Sequence, residues 1–176
     1  MKTVQKDFRL VFRYIAPALF GIGLLASSNY CRAANNCPWI NEATASGLLG
    51  GNAVGELTTA DAGGMNYCEF IVQNTGYKRT LRVSVEVVQD AKARLETFAR
   101  SCGIDAVPLK AIGNEALACA AIYQKSGQGE RVIGRVRDQL FTIAMFTTLK
   151  NDPVLTRETL RVRINTAAEL VAGILF

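Results

Sequence analysis

Between residues 81 and 87 the chain alternates strictly. Leu81, Val83, Val85 and Val87 are apolar, and Arg82, Ser84 and Glu86 between them are polar. A period of two turns one face of a strand to the core and the other to water. This favours an antiparallel sheet, because strands of parallel sheets are usually apolar on both faces. Past Asp90 the period lengthens. Leu95, Phe98, Ala99 and Cys102 fall on one stripe opposite Lys92, Arg94, Glu96 and Arg100, which predicts a helix from about residue 91 that stops at Gly103.

The remaining elements follow from the same two periods. Asn41 is placed to cap a short helix over 42–49, with Ala45, Leu48 and Leu49 on one side. Trp39 and Ile40 precede it as a hydrophobic staple, and Gly50-Gly51 ends it. Residues 54–60 and 65–73 read as strands, the second with Cys68, Phe70 and Val72 on one face, followed by turn residues at 74–77. A loop containing Pro108 and Gly113 leads to a strand at about 116–123, where Leu117, Cys119 and Ala121 share a face. Strands at 131–137 and 140–148 meet around Asp138-Gln139. Asp152 as N-cap and Pro153 at the first helical position open a last helix. Its stripe is Leu160, Ile164, Ala168, Val171 and Leu175, with Arg157, Glu158, Arg161, Arg163 and Glu169 outside. The order predicts one α+β domain over 34–176, an antiparallel β-sheet of about six strands covered by three helices.

The first 33 residues have a different character. Lys and Arg mix with apolar residues up to position 13, and a twelve-residue apolar run then spans 15–26. That length suits the core of a secretory signal peptide and falls short of the roughly 20 residues a membrane-crossing helix needs. A polar stretch ends in small residues, which places cleavage between Ala33 and Ala34. Cys31 is a weaker lipidation site, because Tyr30 and Ser28 occupy the positions where lipoprotein processing needs a small and an aliphatic residue. The reading is a signal peptide over 1–33, no transmembrane span after its removal, and a periplasmic or secreted mature protein.

Charge supports the division. Residues 1–33 carry five basic side chains against Asp7, whereas 34–176 carry 15 basic and 14 acidic ones. A body so nearly neutral gives no footprint for nucleic acid or an anionic membrane surface. The chain has no His, which removes imidazole metal sites and every dyad built on a histidine base.

The signal aside, four cysteines remain, Cys37, Cys68, Cys102 and Cys119. In an oxidising compartment an even count reads as two disulfides, with three possible connectivities. Pairing of sequence neighbours, Cys37 with Cys68 and Cys102 with Cys119, closes the shorter loops and suits the predicted elements. No C-x-x-C spacing supports a metal or redox site.

Other candidates have plain alternatives. The stretch Gly127-Gln-Gly129-Glu-Arg resembles part of a phosphate loop but lacks the third Gly and the Lys-Ser/Thr ending, so it reads as a hairpin turn. Asn114 and Glu115 fit either a pocket mouth or a turn before a strand. Arg131, Arg135 and Arg137 share strand parity and form a possible interaction face, against the alternative of a solvated sheet surface. Ser46, Ser84, Ser101 and Ser126 stand in no nucleophile motif, and Thr75 with Lys78 sits in turn sequence. Glu56, Asp61, Glu69 and Glu115 are the acids available for glycoside-type chemistry. Phe176 resembles the end of an outer-membrane barrel strand, but residues 170–176 continue a helical pattern.

Cys37-Pro-Trp-Ile-Asn-Glu-Ala43, Gly50-Gly51, Cys68-Glu-Phe70, Gly113-Asn-Glu-Ala116 and Gly134-Arg-Val-Arg-Asp138 together resemble the pattern of small bacterial exported proteins of unknown function with a PsbP-like α/β/α sandwich. The resemblance covers most of 36–176 and implies an envelope or binding module, with no catalytic residue to carry over. The expectation is therefore a disulfide-stabilised, non-catalytic binding or interaction module of the bacterial envelope. It requires no cofactor and takes an envelope protein or a small ligand as partner. A periplasmic inhibitor or immunity-type protein and a carboxylate-dependent envelope hydrolase are the alternatives.

Overall fold

The computed structural model describes residues 37–58, 66–121 and 127–176. The expected signal peptide lies outside the described residues. Seven strands form one antiparallel sheet: β1 (Val54–Thr58), β2 (Tyr67–Asn74), β3 (Tyr77–Val87), β4 (Val107–Leu109), β5 (Glu115–Ala120), β6 (Gln128–Val136) and β7 (Gln139–Thr147). Three helices accompany them: α1 (Glu42–Leu49), α2 (Ala91–Cys102) and α3 (Arg157–Leu175). The spatial order β1-β2-β3-β7-β6-β5-β4 consists of two antiparallel meanders. They meet where β3 pairs with β7 from Arg79↔Thr147 to Val87↔Gln139. The α+β class and antiparallel sheet follow the sequence pattern.

One strand escapes that pattern. Residues 103–114, read as a loop, contain a 3-10 turn (Gly103–Asp105) and the three-residue edge strand β4. Both edges of the sheet are blunted. At β1, the Gly55 N–H donates to Glu42 Oε1 at 3.0 Å. At β4, Pro108 has no N–H to offer.

The alternation read at 81–87 sorts the two faces, except that Ser84 is buried as well and Val87 stands exposed at the end of the strand. Leu81, Val83, Phe141, Ile143 and Met145 join Phe70 in a core closed by Leu48 and Leu49 of α1 and by Leu160, Ile164 and Val171 of α3. The opposite face carries a smaller cluster, Leu95, Ile133 and Leu140, beneath α2. Close approach sets one residue of the main core. Gly134 lies opposite Phe141, and a methyl there would meet the ring and stand 3.0 Å from Ala116 Cβ.

Local capping follows the sequence at two helices and departs from it at the third. Asn41 accepts from Thr44 N–H at 2.8 Å, Asp90 accepts from Ala93 N–H at 2.9 Å, and Gly50 closes α1 with φ 65°. Asp152 does not cap α3, contrary to the expectation from Asp152-Pro153. The helix begins at Arg157 behind Thr156, whose Oγ1 accepts from Thr159 N–H at 3.2 Å. The Asp152 carboxylate is directed inward instead, toward a buried arginine described below. Arg163, expected outside, is half-buried and donates to Leu48 O at 2.9 Å, joining α3 to the last turn of α1.

Two disulfides staple the unit. Cys37–Cys68 ties the entry to α1 to β2, and Cys102–Cys119 ties the end of α2 to β5, with Cα separations of 5.6 and 5.7 Å. Their loops of 31 and 17 residues each correspond to about 3–4 kcal/mol in a chain-entropy account of the unfolded state.

Candidate functional site

The most strongly perturbed carboxylate of the described residues is Asp152, and the fold consumes it. Arg79, only 2% exposed, donates from Nε and Nη2 to its two oxygens at 2.7 and 2.8 Å. Thr147 Oγ1 and the N–H groups of Val154 and Leu155 donate as well. Burial alone would raise this carboxyl; the bonds from Arg79, Leu155, Thr147 and Val154 reverse that and hold it far below the usual carboxylate range. Arg79 also donates from Nη1 to Leu49 O and Gly50 O and lies 4.5 Å from the Tyr77 ring centroid. With all three guanidinium nitrogens and both carboxylate oxygens engaged, the pair is an internal tie rather than a reactive centre.

The three arginines read as one face are placed differently from one another. Arg131 and Arg135 lie on β6, on the α2 side of the sheet. Arg135 pairs with Glu115 at 2.8 Å, and that bond lowers the Glu115 carboxyl. Arg131 lies over the Cys102–Cys119 sulfurs. Arg137 leaves the strand's parity: it stands exposed in the β6–β7 turn at φ 56°. Its N–H donates to Asn114 Oδ1 at 2.6 Å, so Asn114 props the turn.

Other sequence candidates are drawn into structure in similar ways. Ser46 Oγ accepts from Ala53 N–H, Ser101 Oγ donates to Phe98 O, and Ser84 is buried in β3. Thr75 lies between β2 and β3. Glu56 and Glu69 face each other across β1 and β2, and Arg82 holds Glu69 at 2.6 Å. Ser126 and Asp61 lie outside the described residues. Gly129 belongs to β6, paired with Phe146, and is not part of a hairpin turn. Among the described residues no group of three acids or cysteines is placed to hold a metal ion.

A cleft of about 540 Å3 lies beside α3, between the end of β5, the start of β6 and the first turns of the helix. Ala120, Ala121 and Leu160 line it, with Ile104 and Val107 at the outer wall. Arg157 and Arg161, one helical turn apart, stand along one side, and Asp105 and Glu130 also border it. Glu130, 6% exposed, is held by Arg161 Nε at 3.3 Å. Arg157 makes no hydrogen bond or ion pair among the described residues. The cleft thus mixes small apolar residues with charged ones, and among the described residues its Arg157 guanidinium has no partner.

No protein-family model matches this chain, and neither does any curated protein or solved structure.

Sequence reading missed this cleft. Arg157 and Arg161 were legible as neighbours on a helix, but their spacing is also that of a solvated face. What sets them apart is that Ile104, Val107, Ala120 and Ala121, distant in the chain, line the same cleft.

Proposed function

We propose that this chain is an exported, disulfide-braced, non-catalytic binding module of the bacterial envelope. Its seat is the cleft between α3 and the β5–β6 strands. The observation carrying this reading is that cleft: small apolar residues among charged and polar ones, with Arg157 unpaired among the described residues, suit a partner protein or small ligand presenting a carboxylate. The Arg79–Asp152 pair supports it too, since the most perturbed carboxylate is saturated by structural bonds. Export is part of the proposal and rests on the basic, apolar, small order of residues 1–33 and on two disulfides. Kinship with PsbP-like exported proteins belongs to it as well, and helices on both faces of a sheet are the layering such a sandwich needs.

In-cell crosslinking of the full chain, with a photoreactive residue at position 105 on the edge of the cleft, tests the reading. The expected result is one stoichiometric adduct, a protein or a small mass, that is lost on Arg157→Glu. Crosslinks scattered over abundant proteins, or an adduct indifferent to that substitution, would contradict it.

A further inference from the structure

Arg131 has no ion-pair partner among the described residues. The four ion pairs there are Arg79–Asp152, Arg82–Glu69, Arg135–Glu115 and Arg161–Glu130. Its Nε is buried without a hydrogen-bond acceptor. Its Nη2 lies 3.9 Å from Cys102 Sγ and 3.9 Å from Cys119 Sγ. A partly buried cation without an anion is unfavourable, and leaving it unpaired is the costly arrangement. The sulfurs it touches are neutral in the disulfide and become ionisable once the bond is reduced. An arginine beside a thiol stabilises the thiolate, and stabilising the reduced form makes a disulfide easier to reduce.

We propose that Cys102–Cys119 is an exchangeable thiol–disulfide centre whose reduced state is stabilised by Arg131, and that its co-reactant is a dithiol. Cys102 ends α2 and is half-buried, whereas Cys119 on β5 is 2% exposed. The dithiol's thiolate therefore attacks Cys102 Sγ. A new sulfur–sulfur bond forms there, the Cys102–Cys119 bond breaks, and its electron pair leaves on Cys119 Sγ, facing Arg131. The dithiol's second sulfur then gives up its proton and attacks the first. This closes the co-reactant's own disulfide and releases Cys102 sulfur. Two electrons pass from dithiol to protein; one of the dithiol's two protons ends on Cys102 and the other in solvent. Reduction unties the end of α2 from β5, over the small cluster formed by Leu95, Phe98 and Ile133. The other disulfide, Cys37–Cys68, joins the main core and is the internal reference.

The test equilibrates the oxidised mature chain with mixtures of reduced and oxidised dithiothreitol, traps thiols by alkylation and counts each pair by mass. Cys102–Cys119 is expected to reach half-reduction at a reduced-to-oxidised ratio about tenfold lower than Cys37–Cys68, the size a neighbouring opposite charge gives. Arg131→Met should raise that ratio about tenfold, while Arg131→Lys retains most of the difference. Equal midpoints in the parent chain, or a midpoint unmoved by Arg131→Met, would overturn the proposal. If the Met variant does not fold, the parent chain decides through the ultraviolet absorbance of a thiolate in its reduced form. Absorbance persisting well below the ordinary thiol range of about 8.5 supports the assignment, and its loss there refutes it.

Discussion

Arg79 on β3 and Asp152 ahead of α3 are 73 residues apart, and their side chains meet through two parallel bonds of 2.7 and 2.8 Å in the interior. The same guanidinium reaches the carbonyls of Leu49 and Gly50 at the end of α1. One side chain therefore joins the first helix, strand β3 and the entry to the last helix. Fork-to-carboxylate geometry makes this strong for a hydrogen-bonded pair, and burial makes a broken half costly.

Asp152→Ala is accordingly expected to destabilise the oxidised protein by about 3–5 kcal/mol, because it leaves Arg79 charged and buried. Replacing both members, Arg79→Met with Asp152→Leu, should cost clearly less than the two single losses added together. Urea denaturation of the parent chain, Asp152→Ala, Arg79→Met, Asp152→Leu and the double variant measures this directly.

The depressed Asp152 carboxyl also fixes a pH dependence. A group whose folded value lies below its unfolded value stabilises the fold above the unfolded value and loses that contribution as pH falls. The stability gap between the parent chain and Asp152→Asn should be full near neutrality. It should narrow as pH drops below about 4, the ordinary carboxylate range. Thermal melts of both proteins across that range would show a widening gap if the sign were wrong.

Two glycines make opposite predictions. At Gly134 an added methyl meets the Phe141 ring, so Gly134→Ala should cost about 1–3 kcal/mol by overpacking. At Gly47, inside α1, an added methyl meets nothing within 4 Å. Gly47→Ala should stabilise by up to about 1 kcal/mol through helix propensity. The two denaturation midpoints should move in opposite directions.

Removing either disulfide as a Cys→Ser pair should lower stability by about 3–4 kcal/mol, slightly more for the longer Cys37–Cys68 loop. Losses of a few tenths of a kcal/mol would show that the stapling account is wrong.

Features written in local sequence were legible: most of the alternation at 81–87, the Asn41 cap and the helical stripe that brings Cys102 to the end of α2. Features decided by distant partners were not. Asp152-Pro153 has the form of a helix start, yet Arg79 claims the carboxylate from another strand. The short β4 carries no period to read, and its strand character comes from pairing with β5. Parity grouped Arg137 with Arg131 and Arg135, but a turn at positive φ removes it from the strand. The cleft is lined by four separate stretches, within 104–107, 120–121, 127–130 and 157–161, a relation no single stretch of sequence contains.

The account stands most directly on the oxidation state of the four cysteines in the native cell. The chain should be recovered from the fraction outside the cytoplasmic membrane, alkylated without reductant, digested and weighed. Peptides linked Cys37 to Cys68 and Cys102 to Cys119, beginning near Ala34, are the predicted result. A chain found in the cytoplasm with residues 1–33 attached and all four sulfurs as free thiols would contradict both the export and the stapled fold.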